Sequence, residues 1–382
     1  MEFFCMLSRL TSLFAAAPLV ALQALSNPAV AQERWLAGFY PGWEYEFYPP
    51  ELIDFSSLTH VVMFSVVPEN DGSLDTSFFM DSMTGPRIAQ EVAMRARAAG
   101  RKALLAVGGG GLVDRMRQAS NDANRQRFVA NLVDLVRRWN YDGLDIDWEP
   151  IEPTDQANLA ALAKALRDQM PDKLLTIDLS WKNSNSSIEN QEARFLMQIE
   201  PIFDRLNVMT YDMADNWEDW LSWHNSPLYG DSNSTPASVA SSIKAYIGVG
   251  IPAGKLGLGV AFYGSCWNAP VSAPRQAAGT AQVIAGDQDM SYRNIMTYYY
   301  DPSYAEYDTT AQAPYLSPSK EIGPFGCTFV SYEDERSIAA KGEFARQNGL
   351  GGAIIWSLGE GYMPTATNPS GLLQAARKAI LD

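Results

Sequence analysis

Short apolar runs typical of β-strands alternate with helix-patterned segments along most of this 382-residue chain. This order predicts a parallel sheet with right-handed crossovers, and eight units in roughly 350 residues predict an α/β fold, the (β/α)8 TIM barrel. The predicted strands are 35–40, 58–65, 102–107, 141–149, 173–180, 205–212, 255–263 and 351–357. The predicted helices are 87–99, 121–139, 155–170, 189–198, 236–247, 334–347 and 370–380. The C-terminal strand ends of such a barrel meet at one mouth, where we expect the chemistry.

The segment 265–328, between the seventh and eighth predicted strands, is too long for an ordinary loop, and we predict a small α+β insertion there. Six of its tyrosines lie close together in the sequence, namely Tyr292, Tyr298, Tyr299, Tyr300, Tyr304 and Tyr307. These side chains form either an aromatic wall beside the mouth or the core of the insertion itself. Cys266 and Cys327 stand at its two ends, either as a disulfide or as two free buried thiols.

The N-terminus has the pattern of a secretory signal peptide. Arg9 precedes an apolar stretch at 13–25, and Ala29-Val30-Ala31 is a small-residue cleavage site. We therefore predict a signal peptide at 1–31, a mature domain at 32–382, and an extracellular or periplasmic location. A retained signal anchor is the alternative, because Glu2 weakens the positive start.

Composition excludes several classes of partner. The formal net charge of −15 argues against nucleic acid and anionic lipid surfaces. With two histidines and no Cys/His spacing that fits zinc, we predict neither a metal nor a cofactor. We expect a monomer that has no membrane contact once the signal is cleaved.

An acidic run dominates the fourth predicted strand. Its four acids are Asp142, Asp145, Asp147 and Glu149. Alternate side chains of a strand share one face, so the last three acids are predicted to point the same way. Carboxylates on one buried face repel one another, which raises at least one pKa and suits a general acid. A solvated acidic turn and a calcium loop are the alternatives, and the intervening Leu, Ile and Trp favour a strand over both.

The run resembles the D-G-x-D-x-D-x-E signature of the glycoside hydrolase family 18 chitinases, and further segments resemble that family in the same order. They are 208–212 (M-x-Y-D), Trp217 with 224–228, 250–264, 330–338 and 351–356. The insertion also stands where many members carry an α+β insertion. In such proteins a wall of tyrosines suits stacking against sugar rings.

The resemblance implies catalytic roles for five residues. Glu149 is the expected general acid, and the nucleophile is the substrate's own N-acetyl carbonyl, which gives retention of configuration. Asp147 is expected to bind the acetamido N–H, and Asp145 to share a proton with Asp147. Tyr211 is expected to donate to the acetamido oxygen, and Asp212 to hold the distorted sugar.

The remaining candidates are binding or structural residues. Trp356 is expected to form the apolar floor under the sugar, with Trp217, Tyr40, Phe64 and Met209 as further substrate contacts. The alternative is that these side chains only fill the barrel or pack a loop. The expected structural residues are Asp142, Gly108, Gly109, Cys266 and Cys327.

Two positions depart from the pattern of many family members. Ala106 replaces the serine of S-x-G-G, which removes a hydroxyl near Asp145 and predicts an altered pH optimum or slower turnover. Ser265-Cys266-Trp267 stands where an arginine often follows, so Arg275 or Arg293 is the candidate to replace that sugar contact.

The sequence thus predicts a secreted chitinase that hydrolyses β-1,4 linkages in chitin or N-acetylglucosamine oligosaccharides. An endo-β-N-acetylglucosaminidase acting on other N-acetylated glycans fits the same acidic motif. A non-catalytic chitin lectin is less favoured, because such relatives typically lack the acid that Glu149 supplies. A metal-dependent deacetylase is remote, because no ligand set is visible.

Overall fold

Eight parallel strands close into a barrel in the computed structural model, which describes Met1 and residues 34–217 and 220–382. Numbered in chain order, the eight barrel strands are Trp35–Pro41 (β1), His60–Pro68 (β2), Lys102–Gly108 (β4), Gly143–Asp147 (β5), Leu174–Ser180 (β6), Arg205–Met209 (β7), Leu256–Ala261 (β8) and Gly352–Trp356 (β14). The short strand Leu74–Asp75 (β3) is not part of the barrel. Their order around the barrel is β1-β14-β8-β7-β6-β5-β4-β2, and β2 pairs again with β1. The short β3 pairs antiparallel with β2 at the rim. The predicted fold class is confirmed.

Helices connect the strands and cover the outside of the barrel. They are Thr84–Ala98 (α1), Val113–Ser120 (α2), Arg125–Arg138 (α3), Gln156–Gln169 (α4), Asn190–Ile199 (α5), Val239–Gly248 (α6), Tyr292–Tyr298 (α7, in the insertion), Glu335–Gln347 (α8) and Gly371–Ile380 (α9). The prediction of one helix over 121–139 is wrong at its start. There the side chain of Asn121 accepts from the backbone N–H groups of Ala123 and Asn124, which forms a turn between α2 and α3. Asparagine side chains compete with helical hydrogen bonds in this way.

The barrel separates an outer apolar layer from a mixed interior. Outward side chains of the strands pack against buried helix faces, such as Phe128, Leu132 and Val136 of α3. Each such side chain contributes about 1.5–3 kcal/mol when it is fully buried. The interior holds an aromatic cluster that includes Phe39, Phe64 and Tyr211, together with several buried polar side chains. At the mouth of the barrel, the interior therefore presents both aromatic and polar side chains.

The insertion is a five-stranded antiparallel sheet with α7 packed against it. Its strands are Ser265–Trp267 (β9), Val283–Ala285 (β10), Ala305–Asp308 (β11), Ala313–Leu316 (β12) and Phe329–Ser331 (β13). Tyr299 is buried in the core of the insertion, and Tyr292 and Tyr304 pack against that core, whereas Tyr298 and Tyr300 are exposed. None of the six tyrosines lines the pocket described below, and the core alternative holds for Tyr292, Tyr299 and Tyr304.

A disulfide joins Cys266 to Cys327 across a sequence separation of 61 residues. Closing a loop of this length stabilises the fold by about 4 kcal/mol in the chain-entropy model. The double variant Cys266→Ser/Cys327→Ser is therefore expected to melt about 5 °C lower than the wild type. Calorimetry in reductant supplies the control, because reductant should lower the wild-type Tm to that of the variant and leave the variant unchanged. Equal melting of both proteins without reductant would contradict a structural role for the bridge.

The predicted signal peptide and its cleavage site lie outside the described residues. Among the residues that the structure describes, no helix is both long and apolar enough to cross a membrane.

Candidate active site

A pocket of about 390 Å³ opens at the C-terminal ends of the barrel strands, where barrels of this kind place their chemistry. Its polar lining consists of Asp147, Glu149, Asp178, Tyr211, Asp212, Tyr263, Asp287 and Gln288. Its apolar lining consists of Phe39, Trp43, Phe64, Phe79, Leu112, Met209 and Trp356, with Gly109 and Gly110 at one edge. Such a surface fits a ligand that has polar edges and apolar faces.

Strand β5 brings the acids into the barrel. Asp145 and Asp147 are buried on its inner face, while Leu144 and Ile146 point outward into the helix layer. The strand ends at Asp147, and Glu149 follows two residues later, half-buried at the pocket. The predicted alternation therefore holds for the two aspartates, and Glu149 reaches the mouth from the loop that follows the strand.

Asp147 and Glu149 form a carboxyl pair. Their side chains lie against each other, and Oδ1 of Asp147 is buried with no N–H or O–H donor of the usual kind among the described residues. A proton shared between the two carboxyls would satisfy this contact. Burial raises the pKa of both groups, and the negative charges of Glu149 and Asp145 raise that of Asp147 further. The pair therefore keeps a proton at a pH where exposed carboxyls are ionised.

Asp145 is paired with Asp178 of β6, and the hydroxyl of Thr176 also donates to Asp145. Burial raises the pKa of Asp145 and holds that of Asp178 well above its usual range. We predicted from the sequence that Asp145 shares a proton with Asp147. In the structure Asp145 lies against Asp178 and Asp147 lies against Glu149, and the sharing of a proton between Asp145 and Asp147 stays a prediction.

Trp356 lies on the floor of the pocket within a cluster of aromatic rings. Its ring centroid is 4.8 Å from that of Phe64, 5.6 Å from that of Phe39 and 6.3 Å from that of Trp43. Its indole N–H donates to Asp287 of the insertion over 2.8 Å. This bond and the packing fix the plane of the indole, which leaves an apolar face available to a ligand.

The opposite wall carries Tyr211 and Asp212, which follow the end of β7. The hydroxyl of Tyr263 donates to Asp212 over 2.7 Å. Asp212 is open to the pocket, yet the enclosing walls limit the solvation of its carboxyl and raise its pKa to about 6. Tyr211 is buried with its ring edge-on to that of Tyr263, which fixes its direction toward the acids.

The sequence model of the glycosyl hydrolases family 18 matches residues 36–361. The chain belongs to this family. The family membership predicted from the acidic run and the later segments is thereby confirmed.

Several proteins named as chitinases are similar to the chain. Chitinase A1 of Niallia circulans is 30% identical over 290 residues, which cover 67% of the chain and 40% of that protein. Class V chitinase CHIT5a of Medicago truncatula is 28% identical over 354 residues, which cover 87% of the chain and 86% of that protein. The crystal structure of Ostrinia furnacalis Group IV chitinase in complex with allosamidin superposes with a TM-score of 0.74 at 22% identity and covers 91% of the chain and 99% of that structure, a likeness of fold.

The chain matches only part of some of these relatives. The match covers 40% of the Niallia protein, 43% of a probable endochitinase of Caenorhabditis elegans and 56% of endochitinase 1 of Metarhizium robertsii.

Two residues predicted to bind substrate lie outside the pocket. Tyr40 is buried among the helix-facing side chains, and its hydroxyl donates to the carbonyl of Tyr48. Because side chains alternate along β1, the side chain of the preceding residue, Phe39, points into the barrel instead. Trp217 is exposed and stacks on Trp181 at a centroid distance of 6.0 Å, away from the pocket lining.

The predicted structural residues occupy constrained positions. Asp142 lies just before β5, where its carboxylate accepts from the backbone N–H of Ala103 over 2.9 Å. Gly108 and Gly109 have φ angles of +102° and +121°, and a Cβ at Gly108 would stand 2.0 Å from the carbonyl oxygen of Asp147. Glycine permits both the backbone conformation and the close approach, so β4 can end directly beside the acids.

Several pocket residues were not predicted from the sequence. Asp178 was detectable, because it is a single acid within the apolar run 174–179. To predict Tyr263 and Phe39, one would need to know which face of each strand points into the barrel. Asp287 comes from the insertion, and no local pattern connects it with Trp356. Within the described ranges, no group of three or more His, Cys, Asp or Glu side chains is arranged to hold a metal ion.

Of the two departures from the family pattern, the structure explains the one at Ala106. Ala106 pairs with Asp145 on one edge of β5, and Thr176 on the other edge supplies a hydroxyl to the same carboxyl. Neither candidate arginine lines the pocket. Arg275 is ion-paired with Asp308, and Arg293 lies 3.5 Å from the ring centroid of Phe47.

Restoring the serine at position 106 should therefore have little effect. Because Asp145 already accepts a hydroxyl from Thr176, we expect Ala106→Ser to change kcat/KM less than about 3-fold and to leave the pH–rate profile unchanged. Rates on an N-acetylglucosamine hexamer across pH 4 to 9 provide the measurement. A shifted profile in this variant would show that the hydroxyl of Thr176 does not replace that of serine.

Proposed function

We propose that the chain is a chitinase that hydrolyses β-1,4 linkages between N-acetylglucosamine units with retention of configuration. The observation that carries this proposal is the pocket at the strand ends, which the adjacent carboxyls of Asp147 and Glu149 line together with the indole of Trp356. A sugar ring can stack on the indole while the two acids face its acetamido group and its glycosidic oxygen. The chitinases among the relatives support the same substrate class.

In the proposed first step, Asp147 accepts the acetamido N–H of the sugar on Trp356, and the proton of the pair resides on Glu149. The acetamido carbonyl oxygen then attacks the anomeric carbon while the glycosidic C–O bond breaks. Glu149 gives its proton to the departing oxygen, and the negative charge of Asp147 stabilises the positive charge that develops on the acetamido group.

In the second step the ionised Glu149 removes a proton from a water molecule, which attacks the anomeric carbon. The bond from that carbon to the acetamido oxygen breaks, and Glu149 is again protonated. Two displacements at one carbon leave the product with the configuration of the substrate. Tyr211 donates to the acetamido oxygen, and Asp212 accepts a sugar hydroxyl.

The spacing of the acids favours this route over the usual glycosidase mechanisms, in which two carboxyl groups stand on opposite sides of the bond that is cleaved. Inverting enzymes need about 6.5–9.5 Å between the two groups, and retaining enzymes with a carboxylate nucleophile need about 5–5.5 Å. In the proposed pair the carboxyls of Asp147 and Glu149 lie against each other, which leaves room for neither a water molecule nor a sugar carbon between them.

Secretion belongs to the proposal as well. The support for it is the signal-like pattern of 1–31, with its small-residue site at Ala29-Val30-Ala31. We further propose that the protein acts as a monomer on chitin or soluble N-acetylglucosamine oligosaccharides.

Two hexasaccharides of equal length test the substrate class. The N-acetylglucosamine hexamer should be cleaved, and cellohexaose should not, because it carries hydroxyl groups in place of the acetamido nucleophile. Chromatography of the products gives the result. Cleavage of both sugars would contradict the acetamido mechanism. Binding of the hexamer without cleavage would support a lectin, and neither binding nor cleavage would direct the search to glycoprotein glycans.

A further inference from the structure

Asp178 is a fourth acid inside the barrel, next to the acids of β5. It lies on β6 with 2% of its surface exposed, and it lines the pocket. Ile146 pairs with Ile177 in the parallel register, so the following residues, Asp147 and Asp178, lie side by side at the mouth. The proposed mechanism assigns it no role.

Its hydrogen bonds place Asp178 between an amide and a carboxyl. Asn207 on β7 donates from Nδ2 to Oδ1 of Asp178 over 3.0 Å, and the carboxyl of Asp178 also lies against that of Asp145. One oxygen of Asp145 accepts the hydroxyl of Thr176. The other, Oδ2, is buried and has no N–H or O–H donor of the usual kind among the described residues. A proton on Asp178 satisfies this oxygen.

The location of that proton follows from the neighbouring charges. Asp178 faces Asp145 and Asp147 on β5, and Tyr211 beyond the end of β7 is also close. Burial and the charges of the two aspartates hold the pKa of Asp178 well above its usual range. Asp145 accepts the Thr176 hydroxyl and the Asp178 carboxyl, and both bonds favour its ionised form.

We propose that Asp178 is a positioning residue that, in its protonated form, donates to Asp145 and so leaves Asp147 paired with Glu149. This inference rests on the function proposed above. If Asp145 lost this donor, the nearest remaining carboxyl on the same face of β5 would be Asp147. The side chain of Asp147 would then rotate away from Glu149 and the acetamido group and share its proton with Asp145.

Two variants separate this role from simple packing. In Asp178→Asn the amide N–H can donate to Asp145, and the amide oxygen can accept from Asn207. Asp178→Leu has a similar size but offers no donor. On the N-acetylglucosamine hexamer we expect Asp178→Leu to lower kcat about 10- to 100-fold, and Asp178→Asn to restore most of that loss. The acid limb of kcat/KM should move to higher pH in Asp178→Leu, because Asp147 must be ionised to accept the acetamido N–H.

Infrared spectra of the free protein at pH 7 provide a readout that needs neither substrate nor the leucine variant. The wild type should show the C=O band of a protonated carboxyl that Asp178→Asn lacks. Identical carboxyl bands in the wild type and in Asp178→Asn would overturn the role of Asp178. Equal losses of activity in Asp178→Asn and Asp178→Leu, with the Tm of both unchanged, would overturn it as well. A wild-type protein that cleaves no hexamer contradicts the proposed function instead, whatever the spectra show.

Discussion

Replacement of Glu149 by glutamine is expected to lower kcat on the N-acetylglucosamine hexamer about 10³-fold. Glutamine has nearly the same size as glutamate but carries no proton to give to the glycosidic oxygen. Its amide can still lie beside Asp147, and Trp356 still supports the sugar. Binding of the hexamer, measured by calorimetry, should therefore change far less than the rate.

A second glutamate on the same loop supplies the matched control. Glu152 lies three residues further along, outside the pocket lining, in an ion pair with Arg117. Glu152→Gln should retain wild-type kcat within about 2-fold, as expected for a surface ion pair. Wild-type turnover in Glu149→Gln would remove Glu149 from the mechanism. Equal losses in both variants would indicate a structural effect on the loop.

Replacement of Asp147 by alanine is expected to lower kcat about 10²- to 10³-fold, comparable with the loss of a preorganised group that stabilises transition-state charge. The acetamido group then loses both its orientation and the negative charge that stabilises its intermediate. Asp147→Asn should also be slow, because its neutral amide cannot supply that charge. Steady-state kinetics on the hexamer compare the two variants with the wild type.

Asp142→Asn is the matched control at the opposite end of β5. The Asp142 carboxylate accepts from the N–H of Ala103 and lies outside the pocket lining. The substitution should lower Tm while kcat changes less than about 3-fold, because a single hydrogen bond to a charged group is affected. If Asp147→Ala kept more than a tenth of wild-type kcat, the assignment of Asp147 to the acetamido group would fail.

The fold was predictable because a barrel repeats one local pattern eight times. Strands β4 and β6, for example, are short apolar runs, and each is followed by a helix with an apolar face. Errors of a few residues at the ends of single elements do not change that order. The predicted start of a helix at Asn121 is such an error, since the turn there shortens the helix by a few residues but preserves the barrel.

The acids of the site were predictable because they are unusual where they occur. A buried carboxyl in an apolar strand is costly, so Asp145 and Asp147 were detectable without a structure. The same reasoning applies to Asp178. Its pairing with Asp145 could not be predicted, because it depends on the register between β5 and β6.

The pocket walls were less predictable because they depend on side-chain direction and on distant segments. A shift of one residue in the alternation of β1 decides whether the side chain of Phe39 or that of Tyr40 points into the barrel. Asp287 reaches Trp356 from the insertion, across a separation of 69 residues. No local pattern contains such a contact.

The most direct test of the central claim is the configuration of the first product. The N-acetylglucosamine hexamer should be digested in an NMR tube, and the anomeric signals recorded before mutarotation. Attack by the acetamido oxygen followed by water predicts that the new reducing ends appear first as the β-anomer. New ends that appear first as the α-anomer would require a single displacement by water, and would contradict the role given to the acetamido group and to Asp147.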